Sequence, residues 1–190
     1  MKNYETREKR EMKTEAMLTD YVTGRTVADI GAEANRQATE RLLVETKGYK
    51  KEEIEVDAPI AVDIDGAIYR SRVDLVIRVE GRRLMVIKCA AGSLDSRQRE
   101  ILAAARLLET RPVPLAAASD GRSAIVWDVH TGKALAEGHD AIPDRPTLIE
   151  RCQDNDRPTL DESRRRREKI IFRSYDTMNV NVRRDPDATT

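Results

Sequence analysis

Histidine, cysteine and aromatic side chains are scarce in this chain. Cys89 and Cys152 are the two cysteines, His130 and His139 the two histidines, and they are scattered singly. That inventory excludes a CxxC-based zinc site and a disulfide framework. There is one tryptophan, Trp127, and one phenylalanine, Phe172. The core must therefore be mainly aliphatic, and Trp127, inside an apolar run, is expected to pack there and not to stack on a base. A surplus of one charge is missing as well: 34 Lys and Arg balance 34 Asp and Glu. A nucleic-acid-binding face must then be local. No stretch of about 18 apolar residues could span a membrane, and "MKNYETREKREMK" has no apolar core of a secretory signal. A cytoplasmic location without membrane contact is the expectation. The glycines of "GAEANRQ" and "AAGS" match no phosphate-loop spacing.

What is present falls into segments. Residues 1–24 read as a charged, solvated arm. In "TVADIGAEANRQATERLLVETKGY", Val27, Ile30, Ala34, Ala38 and Leu42 recur at helical steps, which predicts a helix with that face inward. Glu33, Gln37 and Glu40 share a second face, and Gly48 is the expected C-terminal cap. The period then changes. Three apolar runs, near 59–64, 68–79 and 83–90, are divided by Asp65-Gly66 and Glu80-Gly81, the signature of an antiparallel meander. A helix follows through Leu94, Ile101, Ala104, Ala105 and Leu108, with Ser93 or Asp95 as N-cap. Two more strands flank Asp120-Gly121, and "HTGK" forms another turn. The order predicts an α/β fold, a mixed sheet of about five strands with a crossover helix before the fourth. This domain is expected over 25–143. Residues 144–190 read as a linker, a late helix with Ile170, Ile171, Tyr175 and Met178 inward, and a polar end.

One residue interrupts the pattern. "LMVIKCAAG" is a buried strand in which Lys88 stands where an apolar residue is expected, and lysine is rarely buried without a partner. Positions symmetric about the Glu80-Gly81 turn sum to about 161, which sets Lys88 opposite Val73, give or take one residue. Asp74 and Lys88 then lie at the same end of the sheet. Two readings stay open: a cation in a site, or a strand-end ion pair. Cys89 beside it reads as a small buried hydrophobe.

The helix beginning "EANRQ", the "KGY" after it, "RVDLVI", the strand through Lys88 and the hairpin "GRSAIVWDVHTG" occur in the order of the PD-(D/E)xK nuclease fold. Over roughly residues 26–138 the chain resembles the N-terminal nuclease domain of the restriction subunit of type I restriction enzymes and its small stand-alone relatives. The resemblance implies a restriction-endonuclease-like sheet, DNA as substrate, other restriction subunits as partners and Mg²⁺ as cofactor where active; a homo-oligomer is compatible with it. It implies Asp74 and Glu33 as metal ligands and Lys88 near the attacking water or the phosphate. Arg36 and Gln37 would line the site and contact the nucleic acid. Arg97, Gln98 and Arg99, opening the next helix, would meet phosphate. The match departs at one motif. The family's acid-x-lysine pair falls fourteen and sixteen residues after the aspartate; here those positions are Lys88 and Ala90. Asp74 alone is a poor Mg²⁺ site, and Glu100 on the following helix is the nearest alternative acid. The resemblance therefore implies a degenerate or rearranged nuclease site. The alternative is a catalytically inactive interaction or assembly module. The basic run "RRRRE" at 164–168 reads either as a phosphate-contacting patch or as a solvated helix face.

Overall fold

The computed structural model describes residues 16–153 and 158–178. The N-terminal residues 1–15 of the expected arm, and the final "VRRDPDATT", lie outside the described residues. In chain order the elements are β1 (Met17–Thr19), β2 (Thr26–Ala28), α1 (Glu33–Arg41), β3 (Ile54–Ile64), β4 (Ala67–Val79), β5 (Arg82–Cys89), α2 (Gln98–Leu107), β6 (Leu115–Ser119), β7 (Ala124–Asp128), β8 (Ala134–Gly138), α3 (Arg145–Arg151) and α4 (Glu162–Met178). Strands β3 to β8 form one mixed sheet in sequence order, and β1 pairs with β2 in a separate hairpin. The α/β class and the meander are as read from the sequence, with six strands in the main sheet where about five were expected.

The two meander turns explain why the strands were legible. Asp65 and Gly66 have φ of 51° and 86°, and Glu80 and Gly81 have 52° and 80°. Positive φ at both central residues of a two-residue loop is the type I′ geometry, whose twist matches that of the strands it joins. Between β5 and β6 the pairing is parallel, and α2 makes the crossover that such pairing requires.

Helices cover both faces of the sheet. Val76, Val86, Ala116 and Trp127 pack with Ile101 and Ala105 of α2 and Phe172 of α4. Leu75, Ile77, Ile87 and Val126 pack on the other side with Leu43, which follows α1, and Leu148 of α3. Double burial accounts for the unbroken apolar run of β5. Gly121, in the β6–β7 turn, lets α1 approach: a Cβ there would stand 2.5 Å from that of Ala38.

Five expectations are corrected. First, residues 26–28 are strand, and α1 is shorter and inverted. Ala34 is exposed, and the buried positions are Glu33, Arg36, Gln37, Thr39 and Glu40. The apolar spacing failed because this face is satisfied by ion pairs and hydrogen bonds. Second, the expected arm is structured from Met17, since β1–β2 is tied to α1. Third, "RPTLIER" is helix α3, not linker; the Asp144 side chain accepts the Thr147 N–H at its start, and Pro146 sits in the first turn, where its missing N–H costs nothing. Fourth, α4 buries Phe172 but leaves Ile170 and Met178 exposed. Phe172 meets Tyr69 edge to face at 6.2 Å, and burying such a side chain stabilises by roughly 2 kcal/mol. Fifth, neither Ser93 nor Asp95 caps α2, whose first turn lacks a side-chain cap.

Candidate functional site

The pairing of β4 with β5 shifts at Ile77/Arg78, so that the paired positions sum to 161 near the turn and 162 beyond it. That bulge moves Lys88 from the level of Val73 to that of Asp74. Asp74 accepts the Cys89 N–H at 2.7 Å through one oxygen, and its other oxygen lies 3.4 Å from Lys88 Nζ. On the opposite side, Glu100 of α2, itself buried, approaches Lys88 Nζ at 3.2 Å. Lys88 is thus an ammonium held between two carboxylates. Burial opposes its charge, but Asp74 and Glu100 outweigh it and hold the Lys88 pKa above the ordinary lysine value. Lys88 stays protonated and cannot serve as a neutral base near pH 7. Cys89 is buried, and burial pushes its thiol well up, which leaves it inert as a nucleophile.

Glu33 lies at the same cleft but is already bound. Arg36 donates to its two oxygens at 2.7 and 3.2 Å, and Gln37 Nε2 donates at 2.9 Å. Arg36 also pairs with Asp20 at 2.9 Å and Glu40 at 3.2 Å. Gln37 accepts the Tyr21 N–H and donates to Asp20, and Glu40 accepts the Val22 N–H. Arg36 and Gln37, expected at a nucleic-acid surface, are therefore buried parts of the network that anchors the β1–β2 hairpin. Of the α2 group, Arg97 lines the cleft. Gln98 instead donates to the Gly132 carbonyl, and Arg99 to the Tyr175 hydroxyl.

The network has a pH signature. Burial, with help from the Asp20 charge and against that of Arg36, pushes Glu40 up to about 7 from an ordinary 4.5. A raised carboxyl pKa means that the folded chain binds a proton the unfolded chain has lost. Stability from this group is therefore present at low pH and is lost as pH rises from about 4.5 to 7, by roughly 3 kcal/mol. Asp57 is shifted up in the same sense, by burial and by Asp74 against the opposing Arg36. Glu40→Gln is expected to flatten the fall in stability between pH 5 and pH 8 and to stabilise the protein at the higher pH. Urea melts at both values check this; an unchanged pH dependence would contradict it.

The cleft itself has a volume of about 1090 Å³ and opens between the β1–β2 hairpin, α1 and the β3–β4–β5 end of the sheet. Its walls include Glu33, Arg36, Asp57, Asp74, Lys88 and Arg97, so four sequence-selected residues meet there with Asp74. Asp57 was missed. It has a φ of 54° and falls opposite Asp74 by interpolation between the Val56–Leu75 and Ala58–Val73 pairs. The constant sum of those pairs about Asp65-Gly66 was the available signal. Arg70 and Arg72 were also missed; they alternate with Tyr69, Ser71 and Val73 along β4 and line the same cleft as Asp74.

These residues do not fit a Mg²⁺ ion. The Asp74 oxygens are committed to Cys89 and Lys88, those of Glu33 to Arg36 and Gln37, and an ammonium fills the space between Asp74 and Glu100. Among the described residues no three His, Cys, Asp or Glu side chains are grouped to hold a metal. Among the same residues no helix is long and apolar enough to cross a membrane.

The fold and cleft define an α/β domain with an acid–lysine pair at the β4–β5 end of its sheet. The family model described as the type I restriction enzyme R protein N terminus (HSDR_N) matches residues 31–143, and the chain belongs to that family. Comparison with curated proteins and with solved structures finds no match.

Proposed function

We propose that this chain is a restriction-related, nuclease-like DNA-binding domain in which the metal-dependent site has been rebuilt around Lys88. The observation that carries the reading is the position of the Lys88 ammonium between Asp74 and Glu100. In the resemblance that residue would be an acid and the space beside it a cation's. Here the Lys88 ammonium offsets one of the two negative charges and Arg97, 3.9 Å from Glu100, faces the other, without a divalent ion. Family membership supports DNA and other restriction subunits as partners. Asp74, Lys88 and Glu100 keep the sheet end folded, and binding falls to the arginines around it. A catalytically inactive assembly module is the competing reading, and DNA binding separates the two.

Fluorescence anisotropy with a labelled oligonucleotide, read across a salt series, tests the proposal. Binding is expected with log K falling linearly in log salt, by about 0.7–0.9 per phosphate contacted, and is expected to need no Mg²⁺. Absence of binding at low salt would favour the assembly module.

A further inference from the structure

Arg70 and Arg72 project from one face of β4, and Arg25 sits in the loop between β1 and β2. All three line the cleft, all three residues are exposed, and none makes a salt bridge among the described residues. By contrast, the cleft's acids are mostly engaged: Glu33 by Arg36, Asp74 by Lys88 and Asp176 by the Tyr69 hydroxyl. Asp57 is the exception, and burial and Asp74 reduce its tendency to ionise. The cleft mouth therefore presents three arginines without a salt bridge among the described residues, Arg72 lying near the half-buried Asp57 and Arg25 coming from the hairpin side.

We infer that this cleft takes a single strand of DNA, with Arg70 and Arg72 on successive phosphates and Arg25 closing from the hairpin side. The inference rests on the DNA-binding reading above and narrows it. Three observations carry it. Residues two apart on a strand are about 6–7 Å apart, comparable with the step between neighbouring phosphates of an extended strand. A volume near 1090 Å³ is at the upper end of small-ligand sites, which run to about 1,000 Å³. It holds a few nucleotides of one strand but not a turn of duplex. The lining also includes the aliphatic side chains of Met17, Val27, Ile30 and Ile60, and such a surface takes base faces without selecting sequence. Positive grooves that track one backbone are how single strands are bound in general, with guanidinium groups able to stack on bases. This cleft lacks the usual aromatic platforms, so affinity must come chiefly from the arginines.

The test compares a labelled single-stranded DNA oligonucleotide with its duplex, on the wild type, Arg70→Ala/Arg72→Ala, Arg25→Ala, and Arg78→Ala as a β4 control outside the cleft. All are exposed positions, where substitution has little effect on folding, and circular dichroism verifies that. The wild type is expected to bind the single strand at least about tenfold more tightly than the duplex. The double variant should lose at least about tenfold, with a salt slope shallower by about 1.4 for two lost contacts. Arg25→Ala should lose less, and Arg78→Ala should match the wild type. Equal binding of duplex and single strand, or single-strand binding indifferent to the double substitution, would overturn the inference and leave the DNA-binding reading intact. No binding of either probe would overturn both.

Discussion

Replacing Lys88 by alanine is expected to destabilise the fold by about 3 kcal/mol at neutral pH. Asp74 and Glu100 lie on opposite sides of the Lys88 ammonium, at 3.4 and 3.2 Å. Removing one partner of a buried ion pair costs about 3–5 kcal/mol, because the remaining charge is left without compensation. Here Asp74 would keep only the Cys89 N–H and the almost fully buried Glu100 would keep Arg97 at 3.9 Å as its cation. Lys88→Met, which keeps much of the volume, should behave like Lys88→Ala if charge is the cause. Lys88→Glu should be less stable still, and it should be the one variant stabilised by Mn²⁺, since it places an acid where the resemblance expects one. Urea melts with and without Mn²⁺ measure these effects. A cost below about 0.5 kcal/mol for Lys88→Ala would mean that Lys88 is a solvated strand-end lysine.

Arg36→Met should be the most damaging single change on α1, at about 3–5 kcal/mol. Arg36 is the one cation bonded to Asp20, Glu33 and Glu40 among the described residues. Without it three acids share a buried pocket, and Asp20 loses its ion pair to α1. The consequence should be local before it is global. The β1–β2 hairpin, held through Asp20, Tyr21 and Val22, should lose amide-exchange protection at a denaturant concentration where the six-stranded sheet is still protected. Arg36→Lys should recover part of the stability but not all, because an ammonium cannot reproduce the planar fork that reaches three carboxylates. Uniform loss of protection across sheet and hairpin together would show that the network supports the whole core and not this attachment.

The sheet was legible because its punctuation was local. Two type I′ turns with glycine at the second position fix β3, β4 and β5, and the prolines after α2 mark its end. The weaker elements were hidden for separate physical reasons. β8 is short and largely exposed, so nothing in "ALAEG" alternates strongly. α3 begins with Arg-Pro, which reads as a break although proline is suited to a helix's first turn. For α1 the pattern misled outright: its inward face is Glu, Arg, Gln, Thr and Glu, and hydrophobic spacing cannot see a face buried by ion pairing. The site was half legible. Asp74 and Lys88 were placed within one residue, and the bulge at Ile77/Arg78 supplied the difference. That Glu100 would clasp Lys88 depends on how α2 packs on β5, and no local spacing reports it. Arg36 was taken for a surface residue because its three acidic partners come from two elements, α1 and the turn after β1.

The central claim is that Lys88 replaces the cation of a nuclease site and that DNA is bound but not cut. Incubating supercoiled plasmid with the protein in Mg²⁺ and then Mn²⁺, beside Asp74→Ala and Lys88→Ala, tests it most directly. Intact plasmid is expected in every lane, with salt-sensitive binding of a labelled single-stranded oligonucleotide by the wild type in the same buffers. Cleavage by the wild type that both substitutions abolish would contradict the claim, and would make the Asp74–Lys88–Glu100 arrangement a working active site.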